Sequence, residues 1–209
     1  MRFALSGILA LVLFSPALSL ANSVDLTNHG GSLTSSAGGL SLTGSTLVSI
    51  NSSNGLLTGD LGTVAFSTGA LASGSQQMGA RYAAGGSFVI TGNGSDGIEK
   101  GVIFSGTFNS PVALSLITLA NGTHQYTLTG TVTGTWFTGA SVEGATIQLT
   151  INTGKGFFNG SSTLANGVTN LNGLGISVFP RTTPEPGSLG LLGTGLLGIA
   201  LTLRFKKSL

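Results

Sequence analysis

HQYTLTGTVTGTWF, residues 124–137, is the stretch that decides the fold class. Threonines alternate with larger apolar residues (Tyr126, Leu128, Val132, Trp136), the period of a strand with one buried face. The same period recurs on both sides, in LSLTGSTLVSI (40–50), TVAFST (63–68), SFVIT (87–91), VIFSGTF (102–108), VALSLITLA (112–120) and ATIQLTI (145–151). Each run is rich in Thr, Val, Ile or aromatic residues and is bounded by Gly, Asn or Ser. Between the two ends of the chain, no stretch keeps apolar residues at helical spacing beyond two turns. Short turns and regular spacing predict an all-β fold, an antiparallel β-sandwich-like body. Asn-Gly pairs at 54–55, 121–122, 159–160 and 166–167 are tight-turn sequences, because both residues tolerate positive φ. The pair at 121–122 predicts a hairpin. Residues 22–39 and 68–85, richer in Gly, Ser and Ala, read as loops or weak edge strands. A lipid-facing β-barrel shares the alternation but calls for girdles of aromatic residues, which these strands lack.

Composition supports a packed domain. Of the 209 residues, 41% are hydrophobic and 11 are Phe, against 7% charged. That balance is opposite to the charge-rich, aromatic-poor pattern of disordered chains. With no Cys there is neither a disulfide framework nor a thiolate metal site. The formal net charge of +2 belongs to the ends of the chain. Between residues 22 and 186, four basic residues (Arg81, Lys100, Lys155, Arg181) face six acidic ones (Asp25, Asp60, Asp96, Glu99, Glu143, Glu185), a net charge of −2. A basic nucleic-acid-binding surface is not supported, and no nucleic acid is expected as a partner.

The motifs in the body carry little chemistry. Gly92–Gly97 spells G-x-G-x-x-G after a strand, but another strand follows where a dinucleotide fold requires a helix. Asn93, Ser95, Asp96 and Glu99 offer hard oxygens for calcium in a spacing that matches no EF-hand, so a solvated turn is expected. His29 and His124 have no partners at metal-ligand spacing, and no metal or cofactor is expected. G-x-S-x-G is absent and Asp96 and Glu99 sit on one loop, so the expectation is a non-enzyme with no catalytic residue. Tyr126 and Trp136 are the large aromatics of the best-patterned strand. Buried, they are core; exposed, they would stack on the sugar rings of a polysaccharide, the alternative function for this body.

The two ends read as targeting segments. In MRFALSGILALVLFSPALSLANS, Arg2 gives a positive start, Phe3–Phe14 an apolar run and Pro16 a helix break. Ser19 and Ala21 place small residues at −3 and −1 of a cut before Asn22, the pattern of a signal peptide over residues 1–21. At the other end, residues 181–187 form a linker with Pro184-Glu185-Pro186. Residues 188–203 follow without a charge, and residues 204–209 hold Arg204, Lys206 and Lys207. Sixteen residues of helix span about 24 Å, near the lower limit for a bilayer core of about 30 Å. The basic residues orient this single transmembrane helix with its end in the cytoplasm, and Arg2 agrees. Gly190, Thr194 and Gly198 recur every four residues, either as a helix-contact stripe or as part of the general glycine richness. The prolines keep the segment before the helix extended, which suits the cleft of a membrane protease.

The order Pro-Glu-Pro, apolar helix, basic tail resembles the PEP-CTERM sorting signal of Gram-negative bacteria. The resemblance covers Pro184 to about Lys207, under an eighth of the chain. It implies export by the secretion machinery, cleavage by signal peptidase and transient anchoring in the inner membrane. Recognition and cutting by an exosortase near the motif would follow, with delivery to the cell surface or extracellular matrix. Such tails are joined to many unrelated domains, so for the body over residues 22–180 it implies no activity. The expectation there is a non-enzymatic, structural protein.

Overall fold

The computed structural model describes residues 21–53 and 55–174, and these form strands and connections only. The strands are β1 (Ala21–His29), β2 (Ser32–Ser36), β3 (Gly39–Ser52), β4 (Gly55–Ser67), β5 (Leu71–Ser75) and β6 (Gly79–Tyr82). They continue as β7 (Gly85–Asn93), β8 (Lys100–Phe108), β9 (Val112–Thr118), β10 (His124–Trp136), β11 (Ser141–Gly154) and β12 (Ser161–Leu174). Residues 1–20 of the expected signal peptide (1–21) and everything from residue 175 onward, including the expected transmembrane helix, lie outside the described residues.

All twelve strands belong to one antiparallel sheet. Four pairs of them are single long strands broken in the middle. β1 and β2 run in succession along β3 and along β12. β4 with β5 faces β6 with β7, which in turn faces β8 with β9. β9 and then β8 run along β10, followed by β11 and β12, and β12 returns to β1 and β2. The result is an up-and-down barrel of eight long strands closed by the first and the last. The expected sandwich is therefore corrected: one sheet curls on itself instead of two sheets packing face to face. Residues 22–39, expected as loop or weak edge, supply the strand that closes it.

Two of the breaks have identifiable causes. Between β4 and β5 the buried Thr68 hydroxyl accepts a hydrogen bond from Leu40 N–H (3.0 Å) and donates to Gly69 O (2.8 Å), replacing ladder bonds. Between β8 and β9 stands Pro111, which has no N–H to give a neighbour. The turn pairs behave unequally. Asn121-Gly122 joins β9 to β10, as expected, with Leu119 N–H bonded to Thr123 O at 2.9 Å. Asn166-Gly167 is no turn; it lies inside β12, where Gly167 is buried against Leu149 and Asn28.

The apolar set points inward. Val24, Leu26, Leu42, Leu47, Ile90, Leu128, Val132, Ile147, Leu149 and Leu171 are each at most 1% exposed. Aromatic rings fill the middle: Phe88 stacks on Phe66 at 6.2 Å and meets Phe104 edge-on at 6.0 Å, and Phe104 reaches Trp136 at 6.5 Å. Each ring buried this way stabilises the fold by about 1.5–3 kcal/mol relative to exposure. Outward positions on β10, β11 and β12 include Thr129, Thr135, Thr146, Gln148, Asn166 and Asn172, with Val168 as an exposed apolar exception. An apolar inside and a hydroxyl- and amide-rich outside invert the pattern of a lipid-facing barrel.

Candidate functional site

Pro184, Glu185, Pro186, Arg204, Lys206, Lys207 and Ser19 lie outside the described residues. Ala21 and Asn22 open β1, where they pair with Leu174 and Gly173. The chain therefore enters and leaves the barrel at one end, and any tether at either terminus attaches there.

Tyr126 and Trp136 are 0% and 1% exposed. Neither ring offers a face to a sugar, which removes the stacking role considered from sequence. Tyr126 instead braces the opposite end of the barrel: its hydroxyl donates to Gln77 O (2.7 Å) and accepts from Phe158 N–H (3.0 Å). That ties the β5–β6 turn to the β11–β12 loop. At the same end His124 stacks on Phe157 with ring centres 4.4 Å apart, and its Nδ1 lies 3.1 Å from Thr118 Oγ1.

The loop between β7 and β8 is a turn, as expected. Asn93 Nδ2 donates to Asp60 O (2.6 Å), and Asn93 Oδ1 accepts from Ser95 N–H (2.9 Å). Asp96 has φ +52°, so the chain reverses there. Among the described residues no three His, Cys, Asp or Glu side chains gather as a metal site.

The outer face of β10, β11 and β12 holds a shallow groove of about 420 Å³. Cross-strand pairing sets its lining in rows: Thr129 opposite Gln148 opposite Val168, and Thr131 opposite Thr146 opposite Asn170. Ser110, Pro111 and Ala113 close one side. The Thr131 hydroxyl lies 2.6 Å from that of Ser110, and Asn170 Nδ2 donates to the Asp25 carboxylate, which fixes the amide at the other side. The lining residues are hydroxyl, amide and small apolar, with no charge among them. Such a surface exchanges hydrogen bonds with neutral polar groups. Sequence reasoning missed it, because the rows form only once three strands are in register.

No curated protein and no solved structure matches the chain. The family model of the PEP-CTERM protein-sorting motif matches residues 182–207, a span that begins eight residues after β12 ends and takes in Pro184, Glu185, Pro186, Arg204, Lys206 and Lys207. Behind its closed β-barrel, this protein carries a PEP-CTERM sorting motif, which implies export and processing by an exosortase.

Proposed function

We propose that the barrel is a non-enzymatic, structural component of the cell surface or extracellular matrix. The chain enters the general secretion route, loses residues 1–21 to signal peptidase, and is held in the inner membrane by residues 188–203. An exosortase cuts near Pro184–Pro186 and passes the barrel onward. The observation that carries this reading is the sorting motif at residues 182–207. A polar, nearly uncharged exterior over an interior filled by aromatic rings supports a role as a durable particle. Intact mass of the protein from its native host tests the route. The expected product starts at Asn22 and ends near Pro184–Pro186. A chain still ending at Leu209 in the inner membrane would leave a permanently anchored protein in place of a sorted one.

The neutral groove favours a second reading, a module that holds extracellular polysaccharide. Hydroxyls and amides in fixed rows suit a neutral glycan, and each hydrogen bond contributes about 0.5–1.5 kcal/mol. Retardation of the protein in gels containing a neutral glucan, lost on Gln148→Ala with the fold intact, is the expected result. Unretarded migration of the unsubstituted protein on every neutral glucan offered would remove this reading.

A further inference from the structure

The two ends of the barrel differ in charge. The tail end holds Ala21 and Leu174 with the β3–β4, β7–β8 and β10–β11 connections. The far end holds the β2–β3, β5–β6, β9–β10 and β11–β12 connections. Every acidic position of the described barrel falls in the tail-end half: Asp25 on β1, Asp60 on β4, Glu143 near the start of β11, and Asp96 and Glu99 between β7 and β8. Lys100, which opens β8, is the one basic residue among them, so that half carries a net charge of −4. The far-end half carries Arg81 on β6 and Lys155 between β11 and β12, a net of +2, and no acid among the described residues. Both of these cations are exposed.

The far end also presents apolar tips on three separate connections. Met78 between β5 and β6, Leu119 between β9 and β10, and Phe157 between β11 and β12 are 68%, 44% and 46% exposed. One bonded chain gathers them. The Tyr126 hydroxyl holds Gln77 O and Phe158 N–H, the His124 ring stacks on Phe157, and His124 Nδ1 meets Thr118 Oγ1. Each tip is thus a member of that chain or the next residue to one. Lys155 stands two positions before Phe157. Below Met78, Arg81 lines a shallow recess of about 280 Å³ with Ser73, Gly74, Gly79 and Ser115. A guanidinium beside hydroxyls suits phosphate oxygens, which accept several hydrogen bonds at once.

We propose that the far end docks on an anionic lipid surface: Met78, Leu119 and Phe157 enter the headgroup layer while Lys155 and Arg81 meet lipid phosphates. Apolar side chains flanked by cations are what such an interface holds, the first by burial and the second by its negative potential. Charge decides which end docks. The tail-end half exposes Leu56, Val102 and Phe137 too, but it carries all the acids, which an anionic layer repels. A protein partner that adds a strand finds no place, because the closed sheet has no free edge. The chain ends leave from the other end, so docking does not compete with attachment of the tail. This goes beyond the sorting reading and holds whether or not the tail is cut.

The absence of native Cys lets one label be placed at either end. A Cβ on Gly156 meets Thr153 O at 3.8 Å, an ordinary contact, so Gly156→Cys carries a polarity-sensitive fluorophore beside Phe157. Thr138→Cys, exposed next to Phe137, carries the same label at the tail end. The full-length chain from the exporting host is first inserted in phosphatidylcholine vesicles, which occupy any membrane-seeking tail. Protein-free vesicles are then added, of phosphatidylcholine alone or in equal mixture with phosphatidylglycerol. The expected result is a blue shift at position 156 with the mixed vesicles only, and none at position 138. Lys155→Gln and Arg81→Gln should each raise the lipid concentration at half-shift about fivefold. Phe157→Ser should raise it about tenfold. These side chains are exposed, and unchanged Trp136 emission shows that each variant keeps the fold. No shift at position 156 with mixed vesicles overturns the proposal, as does an equal shift with phosphatidylcholine alone. A shift produced equally by polygalacturonate, a soluble anionic polymer, would give the far end to acidic polysaccharide and overturn it too.

Discussion

At Thr169 a hydroxyl is buried with nothing to bond, although valine would fill the same space. Thr169→Val should raise the unfolding free energy by about 1–3 kcal/mol, read from urea denaturation followed by Trp136 fluorescence. A drop would mean that the hydroxyl has a partner such as a buried water. Tyr82 makes a second prediction. Burial pushes its hydroxyl above the ordinary value of 10.0, and the hydrogen bond with Ser35 (2.8 Å) acts in the opposite direction. A phenol whose pKa is higher in the folded than in the unfolded chain stabilises the fold below pH 10, and that contribution fades as pH rises through the folded value. The unsubstituted protein should therefore lose stability above about pH 10 more steeply than Tyr82→Phe. Parallel decline of the two would assign the loss to other groups. Burial of Tyr126 and Trp136 was legible from their place in the alternation, in phase with Leu128 and Val132. The Tyr126 bond to Gln77 was not, because nothing local in the sequence brings the β5–β6 turn to that ring.

Strands were readable wherever one face is apolar and the other carries hydroxyls, as in β3, β8 and β10. Their breaks were less so, since Thr68 ends β4 by bonding Leu40, 28 residues away in sequence. The glycines of β8 and β10 show a further limit. Gly106 and Gly134 pair directly, and the Phe104 ring lies against both. A Cβ on Gly106 would sit 2.5 Å from Thr133 O and 2.7 Å from Val132 Cγ1. Strand propensity alone favours alanine over glycine, so Gly106→Ala would be expected to stabilise. The contacts predict the opposite sign: a loss of about 1–3 kcal/mol, as for overpacked cores. Urea denaturation decides between them, and a gain would mean that β8 and β10 are farther apart than described.

At the scale of the molecule, alternation cannot distinguish a sandwich from a barrel, because both bury one face of every strand. The difference rests on whether the first strand meets the last, as Asp25 meets Asn170 across 145 positions. No local signal encodes such a contact, and the Gly- and Ser-rich composition of residues 22–39 disguised the strand that makes it. Closure also places Ala21 opposite Leu174, so the barrel can be re-cut without losing a pairing. A permuted chain, with a short Gly-Asn linker from Leu174 to Ala21 and new ends opened between Asn121 and Gly122, keeps the seam and removes only one exposed turn. Its urea midpoint should stay close to that of residues 21–174 with their natural ends, with the same buried Trp136 emission. A permuted chain that fails to fold, while the same cut at 121–122 is tolerated by two co-expressed fragments, would show that the ends do not meet and that the sheet is open.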